Sequence, residues 1–207
     1  MNYNIMVVGL EGAAGLAVEI LARSGFDSFT LIDDDKIEYS DFNKNLLASC
    51  ATLGEKRTEV IKKHVLEINP RARVEIAYDL HGRCDYIIEC ATDINDKVNI
   101  ALYAESVGVP SISCIDLENK SDHTKIKVAN LADTIVCPVA RILRKRLGER
   151  ERSYMKVVYS LERSNKDLCA GTSPIFLNVT AGLCLATEVE KDLASIARKQ
   201  IGILKTV

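Results

Sequence analysis

The order of the first 35 residues most constrains what this chain can fold into. Ile5 to Leu10 (I-M-V-V-G-L) is a short apolar run closing on glycine, and it reads as a buried parallel strand. Ala13 to Ser24 places Leu16, Ile20 and Leu21 at helical spacing and stops at Gly25. Ser28 to Asp33 is a second strand, and it ends on a carboxylate. Strand, glycine turn, helix and strand make the front half of a nucleotide-binding α/β unit. Parallel strands place ligands at their carboxyl ends, and a helix N-terminus attracts phosphate. Gly9, Gly12 and Gly15 fall at that junction, where a residue without Cβ permits a sharp turn and close approach. The dinucleotide pattern G-x-G-x-x-G is not met, because Glu11 and Ala14 occupy its second and third glycine positions. A plain strand–helix turn is the alternative reading of this feature.

The alternation continues. Glu55 to Ile68 reads as a helix closed by Asn69-Pro70, after a long polar stretch from Asp34 to Gly54. Val74 to Ala77, Cys84 to Cys90 and Val109 to Cys114 read as strands, with a helix over Ile94 to Val107. Lys125 to Val128 and Met155 to Ser160 read as strands flanking a basic helix, Pro138 to Leu147. A long helix, roughly Ser173 to Lys199, carries Ile175, Val179, Leu183, Val189, Leu193 and Ile196 as a core or dimer face. This predicts an α/β fold: a doubly wound, mostly parallel Rossmann-like sheet with helices on both faces and a C-terminal helix. No linker or repeat interrupts the chain. The expectation is one domain over residues 1–207, with a nucleotide-binding half (1–120) and a distinct second part (121–207).

Composition narrows the function classes. A net charge of −2 gives no general attraction to nucleic acid or membrane, so a nucleic-acid site must be a local patch. No apolar run approaches the ~18 residues of a membrane span. The seven cysteines form no C-x-x-C pair, so no zinc is expected, and their odd number suggests a reducing cytoplasm. His64, His81 and His123 show no metal-ligand spacing.

Several residues carry chemistry by type and place. Asp33, at the end of the second strand, suits the hydroxyls of a ribose, and Asp34 and Asp35 beside it could serve a divalent cation. A solvated acidic loop is the alternative. Lys44 and Arg57 offer cations to phosphates, or are surface charges. Thr92 and Asp93 (E-C-A-T-D, Glu89 to Asp93) lie just past a strand, at the sheet edge where ligands bind. The basic helix carries Arg141, Arg144, Lys145 and Arg146. It reads as a phosphate-backbone patch or a solvated face, without aromatic residues for base stacking.

The sequence of motifs V-V-G-x-x-G, L-A-R-S-G, L-I-D-x-D, N-K-N, I-N-P and T-D resembles the ThiF/MoeB/ubiquitin-activating superfamily. The stretches Asp122 to Leu147 and Val157 to Glu162 resemble its tRNA threonylcarbamoyladenosine dehydratases, with a shortened segment around residues 163–170. The resemblance implies ATP and Mg2+ as cofactors, adenylation of a carboxylate, modified tRNA as a partner and a homodimer. It places Asp33 on the ATP ribose and Asp35 near the nucleotide. Asn43 and Lys44 fall on a loop whose arginine grips phosphates, Arg57 on a phosphate-contacting lysine, and Thr92 or Asp93 on the metal-binding aspartate. Departures are Glu11 facing the phosphates, Asp41 for an asparagine, Lys44 for an arginine, Asn45 for a glutamine and Arg57 for a lysine. Cys169 matches a thioester cysteine of the superfamily or is a buried thiol.

Three functions follow, with a nicotinamide dehydrogenase a distant fourth because the dinucleotide glycine pattern fails at two positions. The first is ATP-dependent activation of the carboxylate of threonylcarbamoyladenosine in tRNA, followed by cyclisation. The second is adenylation of a ubiquitin-like sulfur carrier, against which the missing C-x-x-C pairs argue. The third is a non-catalytic nucleotide- or partner-binding relative.

Overall fold

The computed structural model describes residues 3–164 and 174–204, without the side chains of Ser153 and residues 199–204. Cys169 and most of the shortened 163–170 segment lie outside the described residues. Seven strands form one sheet: β1 (Asn4–Val8), β2 (Ser28–Ile32), β3 (Arg73–Ala77), β4 (Tyr86–Glu89), β5 (Ser111–Cys114), β6 (Ile126–Asn130) and β7 (Met155–Ser160). Their order is β3-β2-β1-β4-β5-β7-β6. All neighbours are parallel except β6, which runs antiparallel to β7 at the edge. The sheet is therefore the doubly wound, mostly parallel one that the strand–helix alternation predicts.

Side chains alternate across the sheet, as strand geometry requires. Ile5 and Val7 of β1 face one core, while Met6 and Val8 face the other. The first core is covered by α1 (Ala13–Arg23), α2 (Arg57–Ile68) and α6 (Ile175–Leu204). The second face is covered by α3 (Ile94–Val107), and α4 (Pro138–Arg146) closes it near β7, followed by the short α5 (Glu149–Tyr154). Helix α6 lies close against α1, since a Cβ on Gly182 would stand 2.7 Å from the Ala13 carbonyl oxygen.

The buried face of α6 runs through Leu177, Ala181, Leu185, Val189 and Leu193. Of the residues expected as a core or dimer face, Val189 and Leu193 are buried, Ile175 and Val179 are half-buried and Leu183 is exposed. The close α1 crossing fixes the helix rotation around Gly182, which hydrophobic spacing alone does not show. The strand order reverses between β1 and β4, which places a crevice above their carboxyl ends. No helix among the described residues is long and apolar enough to cross a membrane.

Gly9 is where two backbone segments of this frame come closest. Its φ is +77°, and a Cβ there would sit 2.5 Å from the backbone nitrogen of Ala91, beyond β4. The turn after β1 and the turn after β4 touch through this missing side chain. Gly9→Ala is expected to destabilise the fold by at least ~2 kcal/mol, because both the conformation and the contact are lost. Urea denaturation of the variant against the native chain measures it.

Candidate active site

Two cavities open at the carboxyl edge of the sheet. The larger, about 620 Å³, is lined by Gly9, Ile32, Asp33, Asp35, Arg57, Leu80 and Ile100. The smaller, about 230 Å³, is lined by Gly12, Lys44, Lys97, Asp116, Val139 and Asn178. Glu11, Cys90, Ala91 and Thr92 belong to both and form their shared wall. A polar nucleotide-sized cleft thus opens directly onto a second, smaller chamber.

The larger cleft is organised by Asp33. One of its oxygens accepts from the Leu10 backbone N–H at 2.6 Å and the other from Asp35 N–H at 2.7 Å. The carboxylate ties the glycine turn to the end of β2, as two backbone donors fit a fixed acceptor. Burial raises its pKa above the ordinary value, and the two backbone bonds and Arg57 only partly offset this. Each oxygen can accept a further hydrogen bond and Asp33 lines the cleft, so the ribose role expected from sequence is chemically open.

Arg57, at the start of α2, meets a cluster of acids. Its guanidinium lies 3.7 Å from Asp33, 3.1 Å from Asp35 and 3.1 Å from Asp41. Burial lowers its pKa, but the facing carboxylates more than offset this and hold the group charged. Asp41 is buried in a short 3-10 turn (Tyr39–Asp41), where it also accepts from the Glu38 N–H at 3.0 Å. The long polar stretch from Asp34 to Gly54 is therefore ordered by an ion-pair cluster that its sequence alone does not reveal. Arg57 faces the cleft, but its first partners are the protein's own carboxylates.

Lys44 and Thr92 meet across the shared wall. Lys44 Nζ donates to Glu11 at 2.9 Å, and the Thr92 hydroxyl donates to the other Glu11 oxygen at 3.3 Å. Glu11 points into the cleft, as the sequence suggested, and it arrives there already neutralised. Burial raises its pKa, but Lys44, Arg57 and Thr92 outweigh this and keep it below the ordinary value. Asp93 caps α3, accepting from the Asn95 N–H at 2.6 Å and from Asp96 N–H at 3.3 Å. These bonds lower its pKa, and its side chain lines the larger cleft. Asn43 is exposed and lines neither cavity. Its neighbour Asn45 is buried and reaches back to the Leu10 carbonyl. The three glycines differ in role: Gly9 admits the Ala91 peptide, Gly12 admits Asn178 of α6, and Gly15 meets Asn45 and Ile61 at ordinary contact distance.

Sequence reading missed the floor of the smaller chamber. Lys97 of α3 donates to both oxygens of the buried Glu89 at 3.1 Å and to the Cys114 carbonyl at 2.9 Å. Ser113 and the Ala91 N–H complete the acceptor set of Glu89. Burial raises the Glu89 pKa, and Lys97 offsets only part of the rise. Beside them, the fully buried Lys120 pairs with Asp116 at 3.0 Å. A charge at the end of an apolar strand and a lysine one helical turn into α3 were the available signal.

The basic helix splits into two groups. Arg144 is turned inward onto the Leu131 and Thr134 carbonyls and the Thr134 hydroxyl. Arg141, Lys145 and Arg146 are exposed, and Arg146 bonds Asn95 at 2.6 Å. No group of three or more His, Cys, Asp or Glu side chains suited to a metal occurs among the described residues. The six described cysteines form no disulfide.

Removing Lys97 leaves Glu89 buried without its counter-charge. Lys97→Met is expected to cost ~3–5 kcal/mol at neutral pH. The raised Glu89 pKa fixes the sign of the pH response. The folded variant takes up a proton more readily than the unfolded chain, so its deficit shrinks as pH falls toward the ordinary carboxylate range. Chemical denaturation at several pH values checks this.

A family model described as the ThiF family matches residues 1–153. The tRNA threonylcarbamoyladenosine dehydratase of Haemophilus influenzae is 33% identical over 195 residues, which is 86% of this chain and 72% of that protein. A Saccharomyces cerevisiae protein, tRNA threonylcarbamoyladenosine dehydratase 2, is 30% identical over 175 residues. There the match covers 78% of this chain but only 39% of the relative. The solved Escherichia coli dehydratase TcdA in complex with ATP superposes with a TM-score of 0.88 at 25% identity, covering 96% of this chain and 88% of that one. Its complex with AMP gives a TM-score of 0.87. The seven-stranded sheet, the nucleotide-sized cleft at its switch point and these likenesses agree: the chain belongs to the ThiF family, among the tRNA threonylcarbamoyladenosine dehydratases.

Proposed function

We propose that this chain is an ATP-dependent enzyme that activates the carboxylate of threonylcarbamoyladenosine in tRNA and closes it into a cyclic product. The observation that carries this reading is the shared wall. Adenylation requires the α-phosphate of a nucleotide to meet an acceptor carboxylate, and here a nucleotide-sized cleft and a smaller chamber meet at Glu11, Cys90, Ala91 and Thr92. The solved relatives hold ATP and AMP.

In this reading Asp33 receives the ribose hydroxyls, and Ile32, Leu80 and Ile100 give the base an apolar seat. Lys44 stands at the wall where phosphate charge develops, and Arg57 holds Asp33, Asp35 and Asp41 in place behind it. The carboxylate oxygen attacks the α-phosphate and pyrophosphate leaves. The carbamoyl nitrogen of the same nucleoside then attacks the activated carbonyl, losing its proton as AMP departs. The protein's part is positioning and charge stabilisation. Oxygen donors at the wall, Glu11 and Thr92, and Asp93 beside it in the larger cleft suit Mg2+, which binds through one or two carboxylates plus phosphate oxygens. When bound, the ion neutralises phosphate charge.

The tRNA would reach the smaller chamber along α4. Val139 of that helix lines the chamber, and Arg141 and Lys145 project from it to solvent. A homodimer accompanies this reading, supported by exposed Phe176 and Leu183 on α6, as does a cytoplasmic location. A second reading, a nucleotide- or partner-binding relative without catalysis, draws on one observation. Lys44 and Arg57 are both already paired to carboxylates.

Incubation with ATP, Mg2+ and tRNA bearing threonylcarbamoyladenosine is expected to release AMP and pyrophosphate, and unmodified tRNA is expected to release none. Absence of AMP overturns the enzymatic reading. ATP binding measured by calorimetry without turnover would favour the second. Arg141→Glu with Lys145→Glu is expected to weaken tRNA binding more than tenfold at low salt. It should also flatten the slope of log affinity against log salt by about two. Filter binding across a salt series measures both.

A further inference from the structure

Glu11 is the one described carboxylate that lines both cavities. A triphosphate extending from the larger cleft toward the smaller chamber must pass it. The Glu11–Lys44 pair is only partly shielded, with side-chain exposures of 27% and 17%, so both groups remain reachable from the cleft. Lys44 carries one positive charge, which cannot neutralise both Glu11 and a phosphate, so Glu11 would then oppose the phosphates.

A divalent cation resolves this conflict, because it accepts a carboxylate and phosphate oxygens together. Four other acids nearby already hold partners, while Asp34 and Asp96 line only the larger cleft. Asp33 holds two backbone N–H groups, Asp93 caps α3, and Asp35 and Asp41 hold Arg57. Glu11 stands at both cavities and is held by partners that an incoming phosphate can draw away, namely Lys44 and the Thr92 hydroxyl.

We infer that Glu11 is the carboxylate that receives the divalent cation of the nucleotide, with Lys44 passing from Glu11 to the phosphates as the ion takes its place. The inference rests on the ATP reading above. Nucleotide and metal then bind as a unit. Metal alone finds Glu11 already occupied by Lys44, and metal-free ATP meets an uncompensated anion.

Calorimetry on the full chain with ATP, in Mg2+ or in EDTA, tests this, with Mn2+ electron paramagnetic resonance as a second readout. Native protein is expected to bind ATP at least roughly tenfold more tightly with Mg2+, and to bind no Mn2+ without nucleotide. Glu11→Gln is expected to reduce that magnesium gain to about twofold or less while binding metal-free ATP more tightly than native protein. Glu11→Ala, which withdraws the side chain from the cleft, reads the same gain if the glutamine variant does not fold. Should native protein bind MgATP and the Glu11 variants keep the full gain, the inference fails and the ATP reading stands. Equal ATP affinity with and without Mg2+, or Mn2+ binding by native protein without nucleotide, also overturns it. No ATP binding under either condition overturns both.

Discussion

The hydrogen bond from the Leu10 backbone to the Asp33 carboxylate, 2.6 Å long, is the contact on which the site depends. It joins the turn after β1 to the end of β2 and so sets the angle at which α1 leaves the sheet. Arg57 approaches the same carboxylate and carries the 3-10 turn with it through Asp41. One acid at a strand end thus fixes the glycine turn, the start of α2 and the long loop between them. A buried cation facing several carboxylates is stable only while all are present, because each partner removed leaves uncompensated charge in a poorly solvated place.

Charge compensation is the theme of the whole edge. Glu11 pairs with Lys44, Glu89 with Lys97 and Asp116 with Lys120. Departures from the family pattern make sense in pairs. Glu11 replaces a glycine-like position yet meets Lys44, and Asp41 replaces an expected asparagine yet meets Arg57. Viewed one residue at a time, Glu11 looks hostile to phosphate. Viewed with its partner, it is a neutral unit that a nucleotide can divide.

Much of the fold was legible in the sequence because its strands are short apolar runs and its helices have clear stops. Asn69-Pro70 closes α2, and Pro138 opens α4. The strand boundaries moved by a residue or two, and α5 went unread because six polar residues, E-R-E-R-S-Y, show no apolar spacing. The site was legible in part. Gly9, Glu11, Asp33, Lys44, Arg57, Thr92 and Asp93 all line the cavities. Asn43 does not, since the register of the 3-10 turn sends Asn45 inward instead. Arg144 looked like part of a surface patch, but one of its guanidinium nitrogens is taken by backbone carbonyls near α4.

The sequence by itself determined the nucleotide-binding half. A strand ending in glycine, a helix start and a strand ending in Asp33 can be read locally, since each depends on residues only a few positions apart. Tertiary structure decided which charges meet. Lys44 and Glu11 are 33 positions apart, and Arg57 and Asp41 are separated by 16. Ser113 and Glu89 come together only because β4 and β5 are neighbours in the sheet. Ion pairing depends on distance and burial, and neither is written in the spacing of charges along a chain.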